Sequence, residues 1–314
     1  MLRTPVCELL GISVPLVQAA IWPATSPELV AAVCEAGGLG SVGAVFESAE
    51  SVERQMACVR RLTSRPFAVN HVVPQLDEEA FRATLEAEPE VISFALGNPG
   101  DLVGQAREAG ARVVHQVHTV AQARGAADLG VDAIIAQGAE AGGQGMALGV
   151  STMALVPQVA DAVDPIPVLA AGGIADGRGI AAALVLGAQG VNVGTRFLAS
   201  EEASADEGWK RAILESDSED AIRFEDWEGI FPPAGGGAYA TVPRVMRTRF
   251  VQVGRSQRRL TGRHTTEAPE YIHALGRTEE GGTGLCRLLR RTSKRSSQKT
   301  TSKHFVNGFS QGSF

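Results

Sequence analysis

The stretch from residue 167 to residue 198, PVLAAGGIADGRGIAAALVLGAQGVNVGTRFL, constrains the fold more than any other part of this chain. Its two apolar segments, 167–171 and 191–193, show no alternation of polar and apolar residues. That pattern is typical of parallel strands that are covered on both faces. An Ala-rich helix over 180–186 connects them, so the stretch predicts a strand–helix–strand unit.

Both predicted strands end in small residues. Gly172-Gly173 follows the first strand and Gly194-Thr195 follows the second. Glycine lets a backbone approach a ligand closely, and the Thr195 hydroxyl can donate a further hydrogen bond. The last two strands of a (β/α)8 barrel bind phosphate with backbone N–H groups at this place. We therefore expect an anion site here; the alternative is a tight connection without a ligand.

A strand–helix rhythm runs through the preceding residues. Six further apolar strands are predicted at 14–19, 39–42, 67–72, 91–95, 113–117 and 133–136. Helices are predicted at 27–35, 49–62, 78–87, 100–108, 120–129 and 153–162. Eight strands alternating with helices favour an α/β (β/α)8 TIM barrel, and the alternative is a doubly wound open sheet.

The domain organisation follows from a change in composition. Residues 1–250 are predicted to form one barrel domain, with 201–243 as an insertion or lid-like segment after strand eight. Residues 251–314 form a divergent basic tail: 255–314 carry 12 Lys and Arg against 4 Asp and Glu, a net of +8, whereas the whole chain carries −6. A solvated, disordered extension or a change of reading frame explains this tail better than nucleic-acid binding, since no aromatic residues are interleaved with the charges.

Location and metal binding are constrained by absences in the sequence. The four cysteines lack metal-ligand spacing, no apolar run reaches the length of a membrane span, and the first residues lack a secretion signal. We expect a cytoplasmic protein with reduced thiols, no metal and no membrane partner.

One segment matches the letters of a dinucleotide-binding motif but lacks its structural context. Residues 38–43 satisfy GxGxxG, but these glycines follow a predicted helix instead of opening one. We interpret Gly37 and Gly38 as the end of that helix and reject a Rossmann site.

Amide side chains gather where strands end. Asn70 lies near the end of strand three, Gln116 and His118 near the end of strand five, and Gln137 after strand six, followed by a glycine-rich loop. Catalytic residues of such barrels lie at strand C-termini. Amides both donate and accept, which suits the mixed edge of a flavin ring; the alternative is that each is a satisfied buried amide.

Several segments together resemble one family. They are PLVQAA, EAGGLGSVGA, FAVN, QGAEAGGQG, AAGGIADGRGIAAAL and NVGTRF, in that order between residues 15 and 197. They are similar to the nitronate monooxygenases, FMN-dependent TIM-barrel enzymes, over about residues 5 to 250. The resemblance implies FMN as the cofactor, with contacts from Asn70, Gln137, Gly142, Gly173, Asn192, Val193, Gly194 and Thr195.

The chain departs from this family at Gln144, where members usually carry His. An amide cannot act as a general base, whereas a neutral imidazole can. A nitronate is already an anion, so Gln144 could still position it, and His118 or His115 could serve as the base. The second departure is that residues 251–314 do not match the family's usual continuation, which places cofactor retention in question.

The resemblance implies a reaction and its partners. An alkyl nitronate and oxygen would give a carbonyl compound and nitrite. The alternatives are an FMN-dependent enoyl-thioester reductase that uses NAD(P)H, and a flavin-binding protein without monooxygenase turnover. We leave open a homodimer.

Overall fold

A computed structural model of the chain describes residues 3–146, 149–223 and 241–247. Eight parallel strands form one sheet in the order β1-β9-β8-β6-β5-β4-β3-β2. Their bounds are β1 Leu16–Gln18, β2 Gly40–Gly43, β3 Phe67–Val72, β4 Val91–Ala95, β5 Arg112–Val117, β6 Ala133–Gln137, β8 Val168–Ala171 and β9 Gly190–Val193. These eight strands confirm the predicted TIM barrel.

Helices alternate with the barrel strands. Their bounds are α1 Pro5–Leu10, α2 Pro27–Glu35, α3 Ala49–Leu62, α4 Glu78–Glu86, α5 Leu102–Glu108, α6 Val120–Asp128, α7 Thr152–Val163, α8 Gly177–Val185, α9 Thr195–Leu198 and α10 Glu207–Glu215. Short polar side chains begin several of them. Ser26, for example, accepts a hydrogen bond from Leu29 N at the start of α2, as an N-cap residue should.

The barrel closes between β1 and β2 with little strand pairing. An isolated bridge joins Val17 to Leu39, and Gln18 N donates to the Leu39 carbonyl at 2.8 Å. The fully buried Gln18 side chain completes this seam, since its Oε1 accepts from Ser41 N and its Nε2 donates to the Ala19 carbonyl. Strand β1 is shorter than the predicted 14–19 and pairs with β9 over its three residues, Leu16–Gln18.

Apolar residues fill the lower barrel. Helix α1, which the sequence did not predict, contributes Val6, Cys7 and Leu10 to a cluster that contains inward-facing residues such as Leu169. This helix therefore packs on the apolar lower end of the barrel interior.

The glycines of residues 38–43 serve packing and a strand, which confirms the rejection of a Rossmann site. Helix α2 ends at Glu35, and Gly37 adopts a φ of +95°. A Cβ added at Gly40 would lie 2.3 Å from the Val30 carbonyl oxygen, so α2 packs directly on β2.

A second sheet corrects the prediction of a loop after β6. Strand β7, Gly143–Met146, pairs antiparallel with β11, Thr241–Met246, which also pairs with β10, Ala221–Arg223. A distant segment thus converts part of the glycine-rich loop into a strand. Within the predicted lid-like segment 201–243, residues 224–240 lie outside the described residues, as does the tail from 248 onward. The domain boundary at residue 250 therefore stays a prediction.

No helix in the described ranges is long and apolar enough to cross a membrane. The same ranges contain no cluster of three or more His, Cys, Asp or Glu residues arranged to hold a metal ion.

Candidate active site

Three backbone segments converge at the carboxyl ends of β8 and β9. Gly172 and Gly173 follow β8 with φ values of +110° and +70°, which favour glycine. A Cβ added at Gly172 would lie 2.9 Å from Ala141 N. One added at Gly142 would lie 3.1 Å from Thr195 Oγ1. The loop after β6 therefore touches the ends of both strands, and we call Gly142, Gly172, Gly173, Gly194 and Thr195 the cradle.

The chemistry of the cradle suits an anion. Thr195 is exposed and begins α9, and the preceding Gly194 offers no side chain to cap that helix. A side chain at Gly172 would collide with Thr152 Oγ1 and Ala141 N, and one at Gly142 would press on Thr195 Oγ1, so these two positions present only backbone.

The start of α8 already has its own acceptor. Asp176 Oδ1 accepts from Arg178 N at 2.9 Å and from Gly179 N at 3.3 Å. The hydrogen bond from the Arg178 side chain lowers the pKa of this carboxyl, which keeps it an acceptor. These two N–H groups at the first turn of α8 are therefore already used within the chain.

A small cavity of about 50 Å³ lies inside the barrel, where it extends from Leu10 and Leu169 at the apolar lower end towards the carboxyl ends of the strands. Three of the predicted amides, Asn70, Gln116 and Asn192, line it, together with Ser93. Asn70 Nδ2 donates to Ser93 Oγ at 2.8 Å. Asn192 is 8% exposed, and its Oδ1 has no hydrogen-bond partner among the described residues. A buried acceptor without a partner costs about 1–3 kcal/mol, so the site is suited to a ligand that donates to it.

Gln137 is the last residue of β6, and its Nε2 donates to the Gln144 carbonyl oxygen at 2.9 Å. Gln144 is exposed on β7, opposite Pro243 of β11. The amide of Gln137 thus binds the strand that carries the predicted substrate residue.

The side chain of Val193, the last residue of β9, is buried among apolar residues. Its side chain is 2% exposed and packs in the apolar layer between barrel and helices, and its carbonyl accepts from Ala19 N at 2.9 Å. The sequence prediction of a contact at Val193 is therefore limited to its main chain.

His118 does not lie with the amides. It is 4% exposed and is not one of the cavity-lining residues. Burial, followed by the nearby His115, lowers the pKa of His118 to about 4. Burial also lowers the pKa of His115, whose Nδ1 is 3.1 Å from the Phe94 carbonyl oxygen. Both shifts favour the neutral ring near pH 7, and the pKa of His118 lies well below the working pH that suits a general base.

Sequence reasoning missed two residues behind the cradle. Glu140 Oε2 accepts from Thr152 N at 2.8 Å, and the Thr152 hydroxyl lies 2.9 Å from the same oxygen. Glu140 was part of a glycine-rich loop and Thr152 preceded a predicted helix, so only the fold brings them together.

The fold is that of an α/β barrel, a class in which ligands bind at the carboxyl ends of the strands. The model of the nitronate monooxygenase family matches residues 3–83 and 79–228, and the chain belongs to this family. The family is one of flavoproteins.

Known relatives agree with this assignment. A probable nitronate monooxygenase from Staphylococcus saprophyticus is 34% identical over 267 residues, which cover 70% of this chain and 75% of the relative. The solved structure of FabK from Thermotoga maritima matches with a TM-score of 0.80 and 30% identity, covering 100% of this chain and 98% of FabK. Nitroalkane oxidase from Streptomyces ansochromogenes matches with a TM-score of 0.68 and 31% identity, covering 79% and 80%.

Proposed function

We propose that this protein binds FMN and oxidises alkyl nitronates with oxygen to a carbonyl compound and nitrite. The observation that carries the proposal is that the cradle and the amides Asn70, Gln116 and Asn192 lie at or near the carboxyl ends of strands of the same barrel. Membership of the nitronate monooxygenase family and the likeness to nitroalkane oxidase support it.

The residues fit the cofactor in two places. The cradle supplies an anion site for the phosphate. Asn192 Oδ1, buried and without a partner among the described residues, offers an acceptor, while Asn70 and Gln116 supply further polar groups around the cavity. When bound, the flavin supplies the redox chemistry by accepting electrons from the substrate and passing them to oxygen.

Gln144 determines which form of the substrate can react. Its side chain can donate to the oxygens of an anionic nitronate but cannot remove the carbon-bound proton of a neutral nitroalkane at physiological pH. His118 is too deeply buried to replace it. The protein should therefore act on a preformed nitronate.

Anaerobic mixing tests the reaction. The purified protein is mixed with propyl-2-nitronate, and separately with NADPH, while the flavin absorbance is followed. Bleaching by the nitronate alone is the expected result. Flavin that neither reagent bleaches would favour a flavin-binding protein without turnover.

The second candidate is an FMN-dependent enoyl-thioester reductase that uses NAD(P)H. The observation in its favour is the match to FabK, which covers more of this chain with a higher TM-score than nitroalkane oxidase does. Bleaching by NADPH, with none by the nitronate, would establish this candidate and refute the first.

A further inference from the structure

Thr152, the first residue of α7, lies where three segments meet. A Cβ added at Gly138 would be 2.1 Å from Thr152 Oγ1, and one added at Gly172 would be 2.8 Å from the same atom. The Thr152 side chain therefore fills the space between the loop after β6 and the glycine turn after β8. Thr152 is 9% exposed, so solvent has little access to these contacts.

The hydroxyl of Thr152 has three oxygen acceptors within reach. Glu140 Oε2 is at 2.9 Å, the Gly172 carbonyl at 3.1 Å and the Ala171 carbonyl at 3.3 Å. A hydroxyl has one proton, and the charged carboxylate is the strongest of these acceptors. The Thr152 N–H donates to the same carboxylate oxygen at 2.8 Å. Two hydrogen bonds thus tie Glu140 to the start of α7.

Glu140 also stands directly against the cradle. A Cβ added at Gly173 would lie 3.3 Å from the Cβ of Glu140. Ala141, the next residue, has its N–H against Gly172, and Gly142 lies against Thr195. Any shift of Glu140 would therefore move the loop that joins the two strand ends of the cradle.

We infer that Glu140 and Thr152 are positioning residues for the phosphate of the cofactor: their paired hydrogen bonds hold the loop after β6 against the glycine turn in the shape that binds an anion. This inference rests on the proposed function, because it takes FMN as the ligand. Neither side chain needs to touch the cofactor for this role.

Two variants test the pair without changing its net charge. Thr152→Val removes the hydroxyl and keeps the volume, and Glu140→Asp withdraws the carboxylate by one methylene. The loss of a hydrogen bond to a charged group typically weakens an equilibrium about 10-fold or more. Ser151→Ala is the matched control: Ser151 is exposed and caps the same helix through Ala154 N, but it does not contact the cradle.

The measurement is the Kd of the full-length apoprotein for FMN and for riboflavin, which lacks the phosphate, by quenching of flavin fluorescence. Thr152→Val and Glu140→Asp should each raise the Kd for FMN about 10-fold or more and leave the Kd for riboflavin unchanged. Ser151→Ala should leave the ratio of the two constants as in the wild type, even where it lowers the Tm.

Two results would overturn the inference. A wild-type Kd for FMN in both variants would show that the pair does not act on phosphate binding, and equal weakening of FMN and riboflavin binding would show that it has only a general structural role. If the wild-type protein binds riboflavin as tightly as FMN, the phosphate site of the proposed function is refuted. This result is seen in the wild type, so it is distinct from a failure of the inference, which is seen only in the variants.

Discussion

His71 should make the stability of this protein depend strongly on pH. It lies on β3, is 2% exposed and packs edge-on against Phe81. Its Nε2 is 3.0 Å from Thr84 Oγ1, and the Thr84 hydroxyl donates to the Ala80 carbonyl at 2.9 Å. Because the Thr84 proton is used there, His71 Nε2 must carry a proton and donate it. Burial lowers the pKa of His71 from 6.5 to about 4, so the ring is neutral in the folded protein.

The size of the effect follows from this pKa. Above pH 6.5 the ring is neutral in both the folded and the unfolded chain, and the native stability is fully present. As the pH falls below 6.5, the unfolded chain binds the proton first, so stability is lost until the folded pKa of about 4 is reached. The total loss is about 3 kcal/mol, and about 2 kcal/mol of it occurs by pH 5.

Urea unfolding at pH 7.5 and pH 5 measures this loss in the wild type and in His71→Gln. The glutamine can donate to Thr84 but does not titrate. Although the variant is expected to be less stable at pH 7.5, its free energy of unfolding should fall about 2 kcal/mol less between the two pH values than that of the wild type. An equal fall in both proteins would refute the neutral buried state of His71.

Two further predictions concern the site. Gly172→Ala should weaken FMN binding about 10-fold or more, because the φ of +110° strains any L side chain and the new Cβ would lie 2.8 Å from Thr152 Oγ1. Gly104→Ala is the control, since nothing lies within 4 Å of a Cβ added there, and it should leave the Kd for FMN unchanged. Both constants are measured by flavin fluorescence. Gln144→His should add turnover of neutral nitroalkanes at pH 8, because the imidazole supplies a base near the substrate. Turnover is measured as nitrite release. A variant that releases no more nitrite than the wild type would contradict the role given to residue 144.

The barrel and the cradle were predictable because local signals determine them. Uninterrupted apolar segments mark the covered strands, and the small residues at Gly172, Gly173 and Gly194 permit conformations and close approaches that other residues resist. These signals lie within a few residues of the structure they encode. That each of these residues contacts the cofactor stays a prediction.

The parts that sequence reasoning missed depend on distant partners. Strand β7 forms because Thr241–Met246 pairs with it, and no pattern in a glycine-rich loop indicates that partner. The role of Glu140 depends on Thr152, twelve residues away, through contacts that only the folded chain creates. The sequence places both Gln116 and His118 near the end of strand five, but His118 lies beyond the last residue of β5, where strand alternation no longer determines orientation.

A crystal structure of the FMN complex would locate the phosphate. The expected result is that the phosphate accepts hydrogen bonds from the backbone at Gly173 and from the backbone or hydroxyl of Thr195. A phosphate bound away from the ends of β8 and β9, or held chiefly by side chains elsewhere on the barrel, would contradict it.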